Sequence, residues 1–145
     1  MKKIILATFI IIAPLLCPAQ SNAPYTEGPV WELTLVRTRH GMADEYLRSI
    51  TKTFWAVMDE AKKEGIILDY KVLYGLTSSP ADFDILLMTQ TKNYAYRDKA
   101  RELLDPIVKR LEGDAQKQRQ TTGQRLDMRD VLGYKHMREI SLTGK

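Results

Sequence analysis

Hydrophobic and polar positions alternate and recur along this chain in a way that predicts its elements one after another. In Val30-Trp31-Glu32-Leu33-Thr34-Leu35-Val36-Arg37-Thr38-Arg39, Trp31, Leu33 and Leu35 share one parity, while Glu32, Thr34 and Thr38 take the other. That period of two predicts a strand, which His40-Gly41 ends. From about Met42 to Glu64 the period changes. Tyr46, Leu47, Ile50, Phe54, Val57, Met58 and Ala61 recur at three- and four-residue steps, forming one apolar stripe of a long helix. Asp44 and Glu45 lie in its first turn, where the helix dipole favours acid; Lys62 and Lys63 lie in its last, and Gly65 follows as a stop.

Two further strands follow. Leu68 to Tyr74 alternates, with Leu68, Tyr70, Val72 and Tyr74 on one face. Thr77 to Asp82 reads as a turn, and Phe83 to Gln90 as a third strand. This strand is apolar on both faces: Phe83, Ile85 and Leu87 on one, Leu86 and Met88 on the other. Such a strand is covered on both sides. Asn93 is placed to cap a second helix carrying Ala100, Leu103, Leu104, Ile107, Val108 and Leu111, with a kink or restart expected at Asp105-Pro106. Glu112 to Arg129 is polar and Gln-rich; its periodicity leaves open a third helix, a lid or an excursion. A last strand runs from Tyr134 to Leu142.

The order β-α-β-β-α-β implies an α+β, ferredoxin-like sandwich: a four-stranded antiparallel sheet with its first and third strands central and helices on one face. The bare face would then meet Leu86 and Met88 from the third strand, and a second copy of the sheet is the economical cover. A homodimer is therefore expected.

The N-terminus reads separately. Met1-Lys2-Lys3 precedes the apolar run Ile4 to Cys17, which contains Pro14 and is shorter than the ~20 residues a span needs. Small residues at Cys17 and Ala19 flank Pro18, so a signal peptide over 1–19 is expected, with a cut after Ala23 as the second choice. Leu16 stands where a lipid-modified Cys17 would want a small residue. Residues 20–29, rich in Ser, Asn, Pro and Gly, read as a flexible leader, and the domain as 30–142. Export to a periplasmic or extracellular space would follow, with no stable membrane insertion after cleavage. The cut removes the one cysteine, hence any disulfide or thiol chemistry. It also lowers the formal charge from +4 to +2, because Lys2 and Lys3 leave with no acid. Lys and Arg are spread among Asp and Glu, so nucleic acid is not an implied partner.

Leu35-Val36-Arg37-Thr38-Arg39-His40-Gly41-Met42-Ala43-Asp44-Glu45-Tyr46 resembles the opening of the dimeric α/β-barrel superfamily, where a strand ends in a small Gly turn before an acidic helix start carrying an aromatic. The likeness extends loosely over Val30 to Leu142 and is nearest to small secreted uncharacterised members, with a distant likeness to antibiotic-biosynthesis-type monooxygenases. It implies the paired-sheet fold; activity does not follow from fold. The haem-degrading members use a strand asparagine and a helical histidine. Here the first strand has no asparagine, and neither His40 nor His136 falls in a helix, so no cofactor is carried over. The cofactor-free oxygenases use a polar and aromatic pocket between sheet and helices, which Trp55, Tyr70, Tyr74 and His136 could supply.

Among single residues, His136 shares a strand face with Tyr134, Arg138 and Ile140 and is the candidate catalytic base; a satisfied structural histidine is the alternative. Trp55, Tyr70, Tyr74 and Arg138 are the candidate ligand-binding residues. Trp55 sits ~120° from the centre of its helix's apolar stripe, which suits either a ligand-stacking wall or a packing flank. Arg37 and Arg39 could hold a carboxylate or phosphate, or simply end a solvated strand. Tyr94 and Tyr96 could rim a pocket or serve an interface. Two histidines and no mature cysteine argue against a transition-metal site, and no Gly-rich phosphate loop or nucleophile elbow occurs. The sequence thus leaves three functions open: binding of a small apolar or aromatic ligand, cofactor-independent oxygenation of an aromatic, or a structural assembly role.

Overall fold

The computed structural model describes residues 23–143, so the signal peptide expected over 1–19 lies outside the described residues. The elements are β1 (Tyr25–Thr38), α1 (Ala43–Ile50), α2 (Ala56–Lys63), β2 (Asp69–Tyr74), β3 (Ile85–Thr91), α3 (Tyr94–Glu112), α4 (Ala115–Leu126) and β4 (Arg129–Leu142). All strands join one antiparallel sheet in the order β2-β3-β1-β4. This is the α+β, ferredoxin-like arrangement that the periodicity predicts, with β1 and β3 central. Among the described residues no helix is long and apolar enough to cross a membrane.

The expected first helix is one helical run in which a π turn, Thr51–Trp55, joins α1 to α2. Hydroxyls of Thr51 and Thr53 donate to the carbonyls of Leu47 and Ser49, the back-bonding that loosens a regular ladder. Gly65 ends the run at φ 71°, a left-handed conformation glycine adopts without a Cβ penalty. Asn93 caps α3 as expected, its Oδ1 accepting from the Tyr96 amide at 2.8 Å.

Several expectations change, among them the start of β4, at Arg129 rather than Tyr134, and of β2, at Asp69 rather than Leu68. β1 starts at Tyr25, inside the segment read as leader, because β4 is long enough to pair Tyr25 with Leu142 and Glu27 with Ile140. The ladder breaks at Gly28 and Pro29, where proline has no amide to give and a Cβ on Gly28 would stand 3.0 Å from the Glu139 carbonyl. β3 begins at Ile85 rather than Phe83. α3 passes through Pro106 unbroken. The carbonyl that proline leaves unpaired belongs to Glu102, on the exposed side, while burial of Ala100 and Ile107 holds the other side down. Finally, the Gln-rich segment is mostly helix α4, started by Gly113 at φ 90° and capped by Asp114, which accepts from the Gln116 and Lys117 amides. α4 buries no residue; the shielded ion pair between Arg125 and Glu112 (3.9 Å) links it to α3. Without an apolar face it leaves no periodic signal.

The core forms two clusters under the helices. One joins Val57, Met58 and Ala61 to Ile66, Ile67, Ala100 and Ile107. The other joins Tyr46 and Ile50 to Val36, Ile85 and Leu87. Phe54 of the π turn packs against both. In β1 it is therefore Val30 and Val36 that face the helices. Trp31, Leu33 and Leu35 look the other way, sharing that face with Leu86 and Met88.

Ile85 is fully buried, so Ile85→Ala should lower unfolding free energy by about 2–5 kcal/mol, read from urea denaturation. Burial pushes the Tyr46 phenol above its ordinary value, with the Arg129 guanidinium pulling the other way. The folded state thus resists its ionisation. The contribution is complete below the ordinary phenol value and is lost as pH rises through the folded one. Stability should fall as pH climbs past about 10, and Tyr46→Phe should flatten that fall in pH-dependent melting.

Candidate functional site

Inward-facing positions on two central strands are where a sheet buries its apolar side chains. β1 and β3 obey this at Val30, Val36, Ile85 and Leu87 and break it between, at Glu32, Thr34, Thr89 and Thr91. Glu32 lies opposite Thr89, and Val30 opposite Thr91, so the four polar residues make one floor. Above it is a cleft of about 530 Å³ between the sheet and α3. Phe54, Met58 and Ile67 form one apolar wall, and Ala100, Leu104 and Val108 the other. Arg97 and Arg101 share the cleft-facing side of α3 with Leu104 and Val108, because positions three and four apart line one helix face. Asp98 and Asp105 complete the rim.

One carboxylate oxygen organises the charges. Glu32 Oε2 accepts from Arg97 Nε at 2.9 Å and lies 3.6 Å from His136 Nε2. His136 gets there by register, as the β4 partner of Glu32 in the ladder. Arg97 also stands 3.6 Å from Asp98. The floor's hydroxyls are weakly engaged. Thr89 donates to the Met58 thioether at 3.4 Å, a poor acceptor, while Thr34 and Thr91 make no side-chain hydrogen bond among the described residues. Chemically, this is an apolar slot with acceptors and donors in its base, and the His136 imidazole stands behind Glu32 rather than in the lining.

The residues singled out from sequence fall in three places. His136 and Arg138 both face the helices from β4. Arg138 lays its guanidinium over Tyr94, 5.1 Å from the ring centroid, and pairs with Glu27, while its shielded Nε finds no partner. Trp55 and Tyr70 meet edge to face at 4.8 Å at the β2 edge of the sheet, with Asp59, Lys62 and Lys63 around a shallow pocket of about 440 Å³. Burial raises the Tyr70 phenol, helped by the Asp59 carboxylate that accepts its hydrogen bond. Tyr74 stands apart from both, beside an open cleft of about 900 Å³ at the end of the sheet.

The single pocket expected from Trp55, Tyr70, Tyr74 and His136 is therefore corrected. β2 and β4 are opposite edges, with β3 and β1 between them, so Tyr70 and His136 sit about 14 Å apart at the usual strand spacing. Arg37 and Arg39 line the sheet-end cleft, but both guanidiniums turn to Asp130, at 3.1 and 3.7 Å. Tyr96 donates to the Gly65 carbonyl and ties α3 to the loop after α2. Glu32, Arg97 and the three threonines are the site residues that the sequence reading missed. Their signal was present in Thr89 and Thr91, which interrupt an apolar strand, and in the acidic Glu32 at the middle of a central one.

No family model matches the sequence. Nor does any curated protein. Among solved structures, Atu4242 from Agrobacterium tumefaciens aligns at a TM-score of 0.50 and 14% identity, over 74% of this chain and 90% of that one. A second structure of Atu4242, described as a nipsnap family protein with unknown function, aligns at 0.49 and 14% identity, over 79% and 89%. HapK from Hahella chejuensis aligns at 0.49 and 10% identity, over 76% and 91%. At such identities the likeness is one of fold: this chain is built as Atu4242 is built, an α+β sandwich on a four-stranded antiparallel sheet.

Proposed function

We propose that this domain is an exported homodimer that binds a small apolar or aromatic ligand in the cleft between sheet and helices. The polar floor carries the reading. Threonine hydroxyls with bonds to spare and a carboxylate occupy positions that a purely structural sheet would fill with valine or isoleucine, beneath apolar walls of ligand size. The homodimer is supported by the face opposite the helices, where Trp31, Leu33, Leu35, Leu86 and Met88 gather and where the exposed Leu73 and Met137 extend the apolar surface. Export is supported by the Lys2-Lys3 start and the apolar run to Cys17.

A second reading, cofactor-independent oxygenation of an aromatic in the same cleft, is favoured by one observation. His136 stands beside the Glu32 carboxylate, the partner a general base uses to stabilise its protonated form.

A thermal-shift panel of two-ring aromatics should raise the melting temperature of the purified protein. Leu104→Trp, which fills the slot, should abolish the shift, while Trp55→Ala and Tyr74→Ala keep it. A flat panel would leave the assembly role instead. Oxygen uptake with hydroquinone-type compounds, lost in His136→Ala, would establish the second reading over simple binding. Light scattering at micromolar concentration should give a dimer mass, and Met88→Lys, placing charge on the bare face, should give a monomer.

A further inference from the structure

We propose that the ligand carries a neutral hydroxyl group on its apolar body and presents it to Glu32 and the floor threonines. The inference rests on the cleft being the binding site and goes on to say what the cleft selects. Glu32 Oε2 is committed to Arg97 and His136, but Oε1 accepts no hydrogen bond from the described residues. The floor therefore offers one free carboxylate acceptor. Beside it, Thr34 and Thr91 hold hydroxyls that are unused, and Thr89 one that is poorly used. A hydroxyl both donates and accepts, so a ligand hydroxyl can donate to Glu32 while accepting from a threonine.

Charged head groups fit worse. The lining carries three carboxylates, Glu32, Asp98 and Asp105, against the guanidiniums of Arg97 and Arg101. A ligand carboxylate would meet this acidic excess with Arg97 already held by Glu32 at 2.9 Å and by Asp98 at 3.6 Å. An ammonium could reach the same free Oε1, but it would give up its strong hydration in an apolar slot. A neutral donor carries neither cost.

Calorimetric titration of the purified protein with three probes on one ring system, 1-naphthol, naphthalene and 1-naphthoate, tests this. The Kd for 1-naphthol should lie about tenfold below that for naphthalene, the worth of one hydrogen bond to a charged acceptor, with 1-naphthoate the weakest. Glu32→Gln and Thr34→Val should each shrink the naphthol preference, and Glu32→Gln should strengthen naphthoate binding. Circular dichroism checks folding, and Thr34→Val decides alone if Glu32→Gln does not fold. Equal affinity for naphthol and naphthalene, tightest binding of naphthoate, or a preference that survives the variants would each overturn the hydroxyl inference and leave the cleft standing. Failure of all three probes to bind would remove the cleft reading itself.

Discussion

Val36 and Ile85 face each other across the two central strands, both fully buried beneath Tyr46 and Ile50, and the rest of the molecule hangs on that register. Side chains alternate strictly along a strand, so a slip of one residue would turn every one to the opposite face. With Val36 against Ile85, Glu32 must lie opposite Thr89 and Val30 opposite Thr91. The β1–β4 ladder then brings His136 beside Glu32. The same apolar contact that stabilises the sheet thus places the polar groups of the cleft.

The cleft occupies a seam. Met58, Ile67 and Ala100 belong to the cluster under α2 and α3, Leu87 to the cluster under α1, and Phe54 touches both. Had the floor been valine, the two clusters could close into one core. Threonine and glutamate prevent it, since a buried polar group without a partner costs about 1–3 kcal/mol. The floor therefore stays open to solvent or to a ligand that completes its hydrogen bonds. Arg97 offsets the Glu32 charge in the meantime, and its place on α3 ties the helix to the central strand.

The opposite face follows the inverse logic. β1 puts Trp31, Leu33 and Leu35 away from its own helices, so the strand's apolar parity serves the bare side of the sheet and its mixed parity serves the cleft. Trp31 also donates to Glu139, which Gln90 holds as well, and these polar contacts border the apolar patch. The two central strands thus carry apolar residues on the bare face and a mixture of core and polar residues on the other, and the helices supply the remaining core.

Local chemistry was enough to determine the first helical run and the start of α3: the stripe from Tyr46 to Ala61, the stop at Gly65 and the cap at Asn93 all depend on residues within a few positions of one another. The alternation of β1 and the apolar run of β3, and hence the βαββαβ order, were legible for the same reason. Tertiary structure decided what depends on distant partners. β1 reaches back to Tyr25 only because Leu142 is there to pair with it, and α4 forms without an apolar stripe. Tyr70 and His136 looked like walls of one pocket because parity reports a side chain's face and says nothing of its strand's place in the sheet. Glu32 was invisible for a related reason: a polar residue alternating with apolar ones reads as solvent-facing, and only the position of α3 shows that this one faces in.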